Sequence, residues 1–220
     1  MPHPVDEIPV GVAGRVAEQL RDLIRDGAYA PGSRLVERSL ARELGTSHIP
    51  VREALARLAE EGLVVRRPRR GARVAELSPR MLSEITSMRV VVEQFVCHRV
   101  LERWTPAAEA ELARLARRMT SAAERGTIET VCDLDVRFHE RLWQLADHGL
   151  LVEIAAGLRM RMESGLRAAN EMLSPDELRA LARSHVELVE VLAAGDEDGA
   201  TELVRRHVEL GAERAGALRG

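Results

Sequence analysis

Lysine is missing from this chain of 220 residues, so all 32 basic side chains are arginine. The base composition of the coding genome explains so complete a skew more simply than a need for guanidinium at every site. Aromatic residues make up only 2% of the chain, while Leu, Ala and Val dominate, which favours helices over a sandwich or barrel. Two cysteines, Cys97 and Cys132, are too few and too far apart for a disulfide framework or a CxxC site. No apolar run approaches the length a bilayer-spanning helix needs, and no signal-peptide pattern opens the chain. The expectation is a cytoplasmic protein without a membrane partner.

The length exceeds one typical domain and suits two. A net charge of −3 conceals an asymmetry: residues 1–76 hold 13 arginines against 11 acids, and residues 77–220 hold 19 against 24. Within the first part, Arg66, Arg67, Arg69, Arg70 and Arg73 fall in eight residues free of acid. Such a run is commonly a solvated surface. Its place beside a candidate recognition helix turns the reading toward nucleic acid.

That helix is found by periodicity and punctuation. Val12, Val16, Leu20, Leu23 and Ile24 predict a first helix over Val10 to Asp26, stopped by Gly27. Ala30-Pro31-Gly32-Ser33 reads as a turn, and Glu37 to Leu44 as a second helix. Gly45 supplies a tight turn and Ser47 a candidate N-cap for a third helix over His48 to Glu61. Pro50 is tolerated there because its missing N–H falls in the first helical turn. Val51, Ala54, Leu55 and Leu58 form the inner face of this helix, while Ser47, His48 and Arg52 face outward near its start. That is how a recognition helix enters the major groove. Arg52 suits guanine O6 and N7, and Ser47 a phosphate. Leu63 to Arg66 and Ala72 to Ala75 read as two strands around Pro68-Arg69-Arg70-Gly71, a wing whose tip can reach phosphates or a narrow minor groove.

The stretch RSLARELGTSHIPVREALARLAEEGLVVRRPRRGARV closely resembles the GntR family of bacterial transcription regulators, above all in PVREAL, EGLV and RRGARV. The resemblance implies DNA contacts from the arginine opening the second helix, here Arg38, and from the VRE arginine, here Arg52. The family usually has arginine after the turn serine, where this chain has His48. Imidazole cannot make the two-pronged guanine contact of guanidinium, so a different base preference is expected opposite it. The DNA-contacting set is therefore Arg38, Ser47, His48, Arg52, Arg69, Arg70 and Gly71, in a winged helix-turn-helix domain over residues 8–77.

Beyond it, over residues 78–217, nothing reads as a strand. Six helices are expected at about 79–103, 106–125, 128–147, 149–172, 175–194 and 197–217, broken at Thr105-Pro106, Gly126, His148-Gly149, Ser174-Pro175 and Gly195. Ser78-Pro79 supplies a cap and an N1 proline, and Ser174 to Glu177 a capping box. The fold class is mainly α, with a small β-hairpin in the first domain and an antiparallel six-helix bundle in the second.

Asp135 and His139 lie four apart and share one helical face. His185 and His207 stand ten residues before and twelve after Gly195. At about 1.5 Å rise per residue, an antiparallel hairpin brings them near one level. One carboxylate and three imidazoles suit Zn²⁺, Ni²⁺ or a similar divalent ion with an open position, although a buried helical histidine is more often a hydrogen-bonded core residue. The bundle resembles the FCD domain of FadR-type members of the family, a ligand-sensing domain. In many members a metal is held by an Asp-x-x-x-His pair and two later histidines, which implies Asp135, His139, His185 and His207 here. Met88 to Glu93 resembles the family's Arg-x-x-x-Glu segment. Arg89 either bridges to Glu93 or another helix, or binds a carboxylate effector as the matching arginine of relatives does.

The resulting expectation is a homodimeric repressor on a pseudo-palindromic DNA operator, controlled by a small organic acid bound at the metal and Arg89. Three alternatives stand beside it. The metal could be structural or itself the signal; the same donors could activate water in a metal-dependent hydrolase, for which no general base is evident; or the chain could be an architectural DNA binder, which would leave the polar cluster unexplained.

Overall fold

The computed structural model describes residues 11–67 and 71–217, apart from the side chain of Ser164. Two compact units divide between Glu76 and Leu77.

The first unit runs α1 (Val12–Arg25), β1 (Arg34–Leu35), α2 (Glu37–Glu43), α3 (His48–Glu60), β2 (Val64–Arg67) and β3 (Gly71–Val74). Val16, Leu20 and Ile24 of α1 are buried with Val51, Ala54, Leu55 and Leu58 of α3, and these two helices pack together. Gly45 sits at φ +61° between α2 and α3 and Gly62 at φ +79° after α3, left-handed positions that glycine takes without steric cost. The sheet is antiparallel in the order β1-β3-β2. The hairpin of β2 and β3 is as expected, but β1 is an addition. Gly32 N–H donates to the Val74 carbonyl at 3.1 Å and Val74 N–H to the Ser33 carbonyl at 3.0 Å, so the residues leaving the Ala30–Ser33 turn pair with the wing. Leu35, Val64, Ala72 and Val74 face the helices and are buried.

The second unit is a bundle of α4 (Pro79–Leu101), α5 (Pro106–Glu124), α6 (Ile128–Leu145), α7 (Gly149–Glu171), α8 (Pro175–Ala193) and α9 (Glu197–Ala217). Its core centres on Leu112, Met119, Phe138, Leu142, Trp143 and Leu192, all 2% exposed or less. Ser78 Oγ accepts from Met81 N–H and Thr105 Oγ1 from Ala108 N–H, each ahead of an N1 proline. Between α6 and α7 the left-handed residue is Asp147, at φ 49°, a conformation aspartate tolerates better than most. His148 Nδ1 accepts from Leu151 N–H at 3.2 Å, so Gly149 begins α7 rather than breaking the chain.

The capping box at α8 is complete: Ser174 Oγ accepts from Glu177 N–H, and the Glu177 carboxylate accepts from Ser174 N–H. Ser174→Ala is expected to cost about 1 kcal/mol, lowering Tm by roughly 2–4 °C in a chain of this size. An unchanged thermal melt would show that this box adds nothing to the bundle. Among the described residues no helix is long and apolar enough to cross a membrane.

Candidate functional site

Four side chains from three helices converge inside the bundle. Asp135 and His139 come from adjacent turns of α6, His185 from α8 and His207 from α9, and one potential ligand atom from each lies within 4.8 Å of all the others. Asp135 Oδ1 stands 2.9 Å from His185 Nε2 and 3.9 Å from the Nε2 atoms of His139 and His207. The Nε2 atoms of His139 and His207 are 3.1 Å apart. Phe138, beside His139 in sequence, meets the His185 ring edge to face at 4.8 Å and closes the apolar side of the site.

Two of the other three ring nitrogens have partners outside the cluster. His185 Nδ1 lies 2.9 Å from the Leu181 carbonyl. A carbonyl only accepts, so Nδ1 carries a proton, and in the neutral ring Nε2 presents a lone pair. That lone pair faces Asp135 Oδ1, another acceptor, and neither buried atom has a hydrogen-bond partner. Two buried acceptors in contact are costly unless a proton or a metal ion lies between them. The His207 Nδ1 is 3.5 Å from Ser184 Oγ, whereas the His139 Nδ1 makes no hydrogen bond, its nearest carboxylate oxygen being Glu93 Oε2 at 3.9 Å. Such outer partners orient metal-ligating imidazoles, and three nitrogens with one carboxylate oxygen fit Zn²⁺ or Ni²⁺.

Electrostatics prepare the same atoms. Burial would raise the Asp135 carboxyl, but Arg159, His185 and His139 outweigh it and hold it well below the usual carboxylate range. Burial lowers His139, and burial together with His185 and His139 lowers His207 strongly. His139 and His207 are therefore neutral at pH 7, as ligands must be. Arg159 donates through Nη2 to Asp135 Oδ2 and through Nε to Glu163 Oε2. Glu93 accepts from the Trp143 indole N–H at 2.9 Å. Burial opposes its ionisation, yet His139, Arg89 and Trp143 bring it down to about 2.

Arg89 is 3% exposed, and its Nη2 lies 3.5 Å from Glu93 Oε1. The bridge to Glu93 is thus present but long, and the buried Nε has no partner. Arg89 lines a cavity of ≈ 20 Å³ with Asp135, Arg159, Asn170, His207 and Arg214, room for about one water. The buried Arg159–Glu163 pair and Arg214 escaped the sequence reading. Their i,i+4 and helix-terminal placement looks the same as ordinary surface charge.

On the first unit, Arg38, Ser47, His48 and Arg52 are all exposed. Ser47 holds the N-cap position of α3 with extended backbone, but its hydroxyl makes no cap bond, which leaves it free for another acceptor or donor. Arg52 Nε lies 3.7 Å from Glu37 Oε2 at the start of α2, so the openings of α2 and α3 adjoin. Gly71 begins β3 at φ +79° opposite Arg67. Arg69 and Arg70 lie outside the described residues. Two further groups share this unit's surface. Ile49, 65% exposed in the first turn of α3, suits a thymine methyl. Arg34 stands directly opposite Arg73 across β1 and β3, a like-charge pairing that destabilises a sheet unless an anion covers it.

Comparison with known proteins agrees with both halves of this geometry. Residues 12–74 match "Bacterial regulatory proteins, gntR family" and residues 84–210 match "FCD domain". The chain is 32% identical over 190 residues to the HTH-type transcriptional regulator McbR of Escherichia coli (strain K12), covering 86% of each. It is 28% identical over 180 residues to the HTH-type transcriptional repressor RspR of the same organism, covering 82% of this chain and 78% of RspR. A solved structure of E. coli McbR/YncC superposes with a TM-score of 0.84 at 28% identity, covering 96% of this chain and 100% of that one. With a winged helix-turn-helix matched in its first unit and an FCD bundle in its second, the chain belongs to the GntR family of DNA-binding transcription regulators, among those of FadR type.

Proposed function

We propose that this regulator represses transcription as a homodimer on a pseudo-palindromic operator, and that a small organic acid bound beside a divalent metal in the bundle releases it. The observation that carries the sensing half is the contact between Asp135 Oδ1 and His185 Nε2, two buried acceptors without a hydrogen-bond partner. Asp135, His139, His185 and His207 would hold the ion. When bound, a divalent ion supplies an open, Lewis-acidic position for a carboxylate oxygen. Arg89 adds a guanidinium to the same cavity, and Glu93, held by the Trp143 indole N–H, lies 3.9 Å behind the His139 Nδ1.

On the DNA side, Arg52 and His48 meet base edges, while Arg38, Ser47, Gly71 and the wing arginines Arg69 and Arg70 meet the backbone or minor groove. Dimerisation is supported by an apolar stripe on the bundle: Met88, Val91 and Phe95 of α4 are exposed, as are Leu150 and Ile154 of α7. The Phe95 and His148 rings meet at 6.1 Å and bridge the two helices, making a continuous face suited to a second copy. A regulator acting on its operator works in the cytoplasm.

A ligand shifts the DNA-binding equilibrium only by its differential affinity for the two states. With Zn²⁺-loaded protein and DNA enriched from a random library by the protein itself, the effective carboxylate should weaken operator affinity about 5- to 150-fold, measured by fluorescence anisotropy. If no carboxylate in a broad panel alters that affinity, effector control is refuted. The ≈ 20 Å³ cavity favours a second reading, in which the metal is structural. Chelation separates the two, since a structural ion is lost together with the fold, and a sensing one with effector response alone.

A further inference from the structure

The small cavity beside the metal ligands has a larger neighbour. A cleft of ≈ 420 Å³ opens between α8 and α9, and Leu181, His207 and Arg214 line both spaces. The inner cavity has room for about one water, whereas the cleft falls in the size range of small-molecule sites. Leu173, Leu181, Leu203 and Leu210 give the cleft an apolar lining, and two carboxylates, Glu177 and Glu187, and two guanidiniums, Arg183 and Arg206, line it as well. At the junction stands His207, whose side chain is 16% exposed against 1% for His139 and His185.

Arg214 is the telling residue. Of the three guanidiniums lining the inner cavity, Arg159 pairs with Asp135 and Glu163, and Arg89 faces Glu93. Arg214 makes no ion pair among the described residues, and its one hydrogen bond there runs from Nε to the Leu210 carbonyl of its own helix at 3.1 Å. It is half-buried, and burial lowers its pKa. Asp135 and Glu177 act on it through space but neither closes an ion pair with it, so its planar fork stays open to a further carboxylate. Its position fits an anionic head at the junction with an apolar body running into the cleft.

We propose that the α8–α9 cleft binds a monocarboxylic acid with an extended apolar body, the carboxylate held by Arg214 at the junction beside His207 and the chain lying on Leu173, Leu203 and Leu210. This assignment rests on the effector reading above and gives it a ligand class. It also makes Arg214, rather than Arg89, the principal carboxylate-binding side chain.

The test uses Zn²⁺-loaded full-length protein and the unbranched acids acetate, butanoate, hexanoate and octanoate, with binding followed by calorimetry and zinc content measured alongside. Affinity should rise about fourfold per methylene as the cleft fills. Arg214→Gln should weaken the longer acids at least tenfold with zinc retained. Leu210→Trp, at a position 51% exposed and so safe for folding, should fill the cleft and abolish the length dependence while acetate binding stands. If acetate binds but longer acids bind no tighter, or if Arg214→Gln leaves them unchanged, the cleft assignment is overturned and the metal-bound effector survives. If no acid of any length binds, the effector reading itself fails and takes the cleft with it.

Discussion

Asp135→Ala should lower the Tm of metal-free protein by about 6–20 °C and cut stabilisation by added Zn²⁺. The first effect is electrostatic. Asp135 accepts from Arg159, and both side chains are nearly inaccessible. Removing one partner of a buried pair strands the other charge and costs about 3–5 kcal/mol, which at roughly 2–4 °C per kcal/mol gives that range. Glu163 also holds Arg159, which favours the lower end. The second effect follows from the ligand set, since three imidazoles without the carboxylate leave an ion more weakly bound. Wild-type protein in zinc at about a thousand times its Kd gains roughly 4 kcal/mol, and the variant should gain clearly less at the same concentration. Melts in chelator and in zinc, run on both proteins, separate the two. A variant that melts with wild type in chelator would show that Arg159 needs no more than Glu163. One that responds to zinc as strongly as wild type would remove Asp135 from the metal site.

The elements of this fold were legible where the chain punctuates itself. Helix ends fell where Ser78-Pro79, Thr105-Pro106 and Ser174-Pro175 supply caps and where Gly126 and Gly195 adopt positive φ, because those residue types have local physical reasons to stand there. β1 was not legible. Two residues, Arg34 and Leu35, cannot show an alternation, and they form a strand only because β3 offers an edge. The left-handed Asp147 was not legible either: the expected helix over 128–147 ran through it, whereas α6 ends at Leu145.

Helical spacing paired Asp135 with His139, and an antiparallel hairpin paired His185 with His207, while the full set of four was implied by the resemblance to the FCD domain. Their surroundings were not legible. Arg159 and Glu163 are spaced as an exposed helical ion pair is spaced, and only the packing of α7 against α4, α6 and α9 makes them interior. Glu93 likewise looks like a surface acid until Trp143 and His139 close over it. Arg214 near the end of α9 looks like a cation placed for the helix dipole, and its cavity exists only in three dimensions.

Arg52→Ala should reduce operator affinity about 30-fold to more than 10⁴-fold while leaving the melt unchanged. One bidentate guanine contact is worth about 1–3 kcal/mol, and a dimer loses two, or about 2–6 kcal/mol. Stability should not move, since the Arg52 side chain is 61% exposed and its pairing with Glu37 at 3.7 Å is an exposed ion pair of little net value. The loss should also be selective. A base contact removed lowers specific binding and spares binding to scrambled DNA, whereas a lost phosphate contact weakens both and flattens the salt dependence by about one ion per site. Titrations of operator and scrambled duplex at two salt concentrations therefore distinguish the roles, and equal losses on both DNAs would reassign Arg52 to the backbone. His48→Arg supplies the converse. It installs the guanidinium usual in the family at an exposed first-turn position of α3, so selection from random DNA should return guanine at a position where the parent prefers another base. The same enriched sequence from both proteins would mean that His48 faces a phosphate, and that Arg52 and Ile49 read the half-site between them.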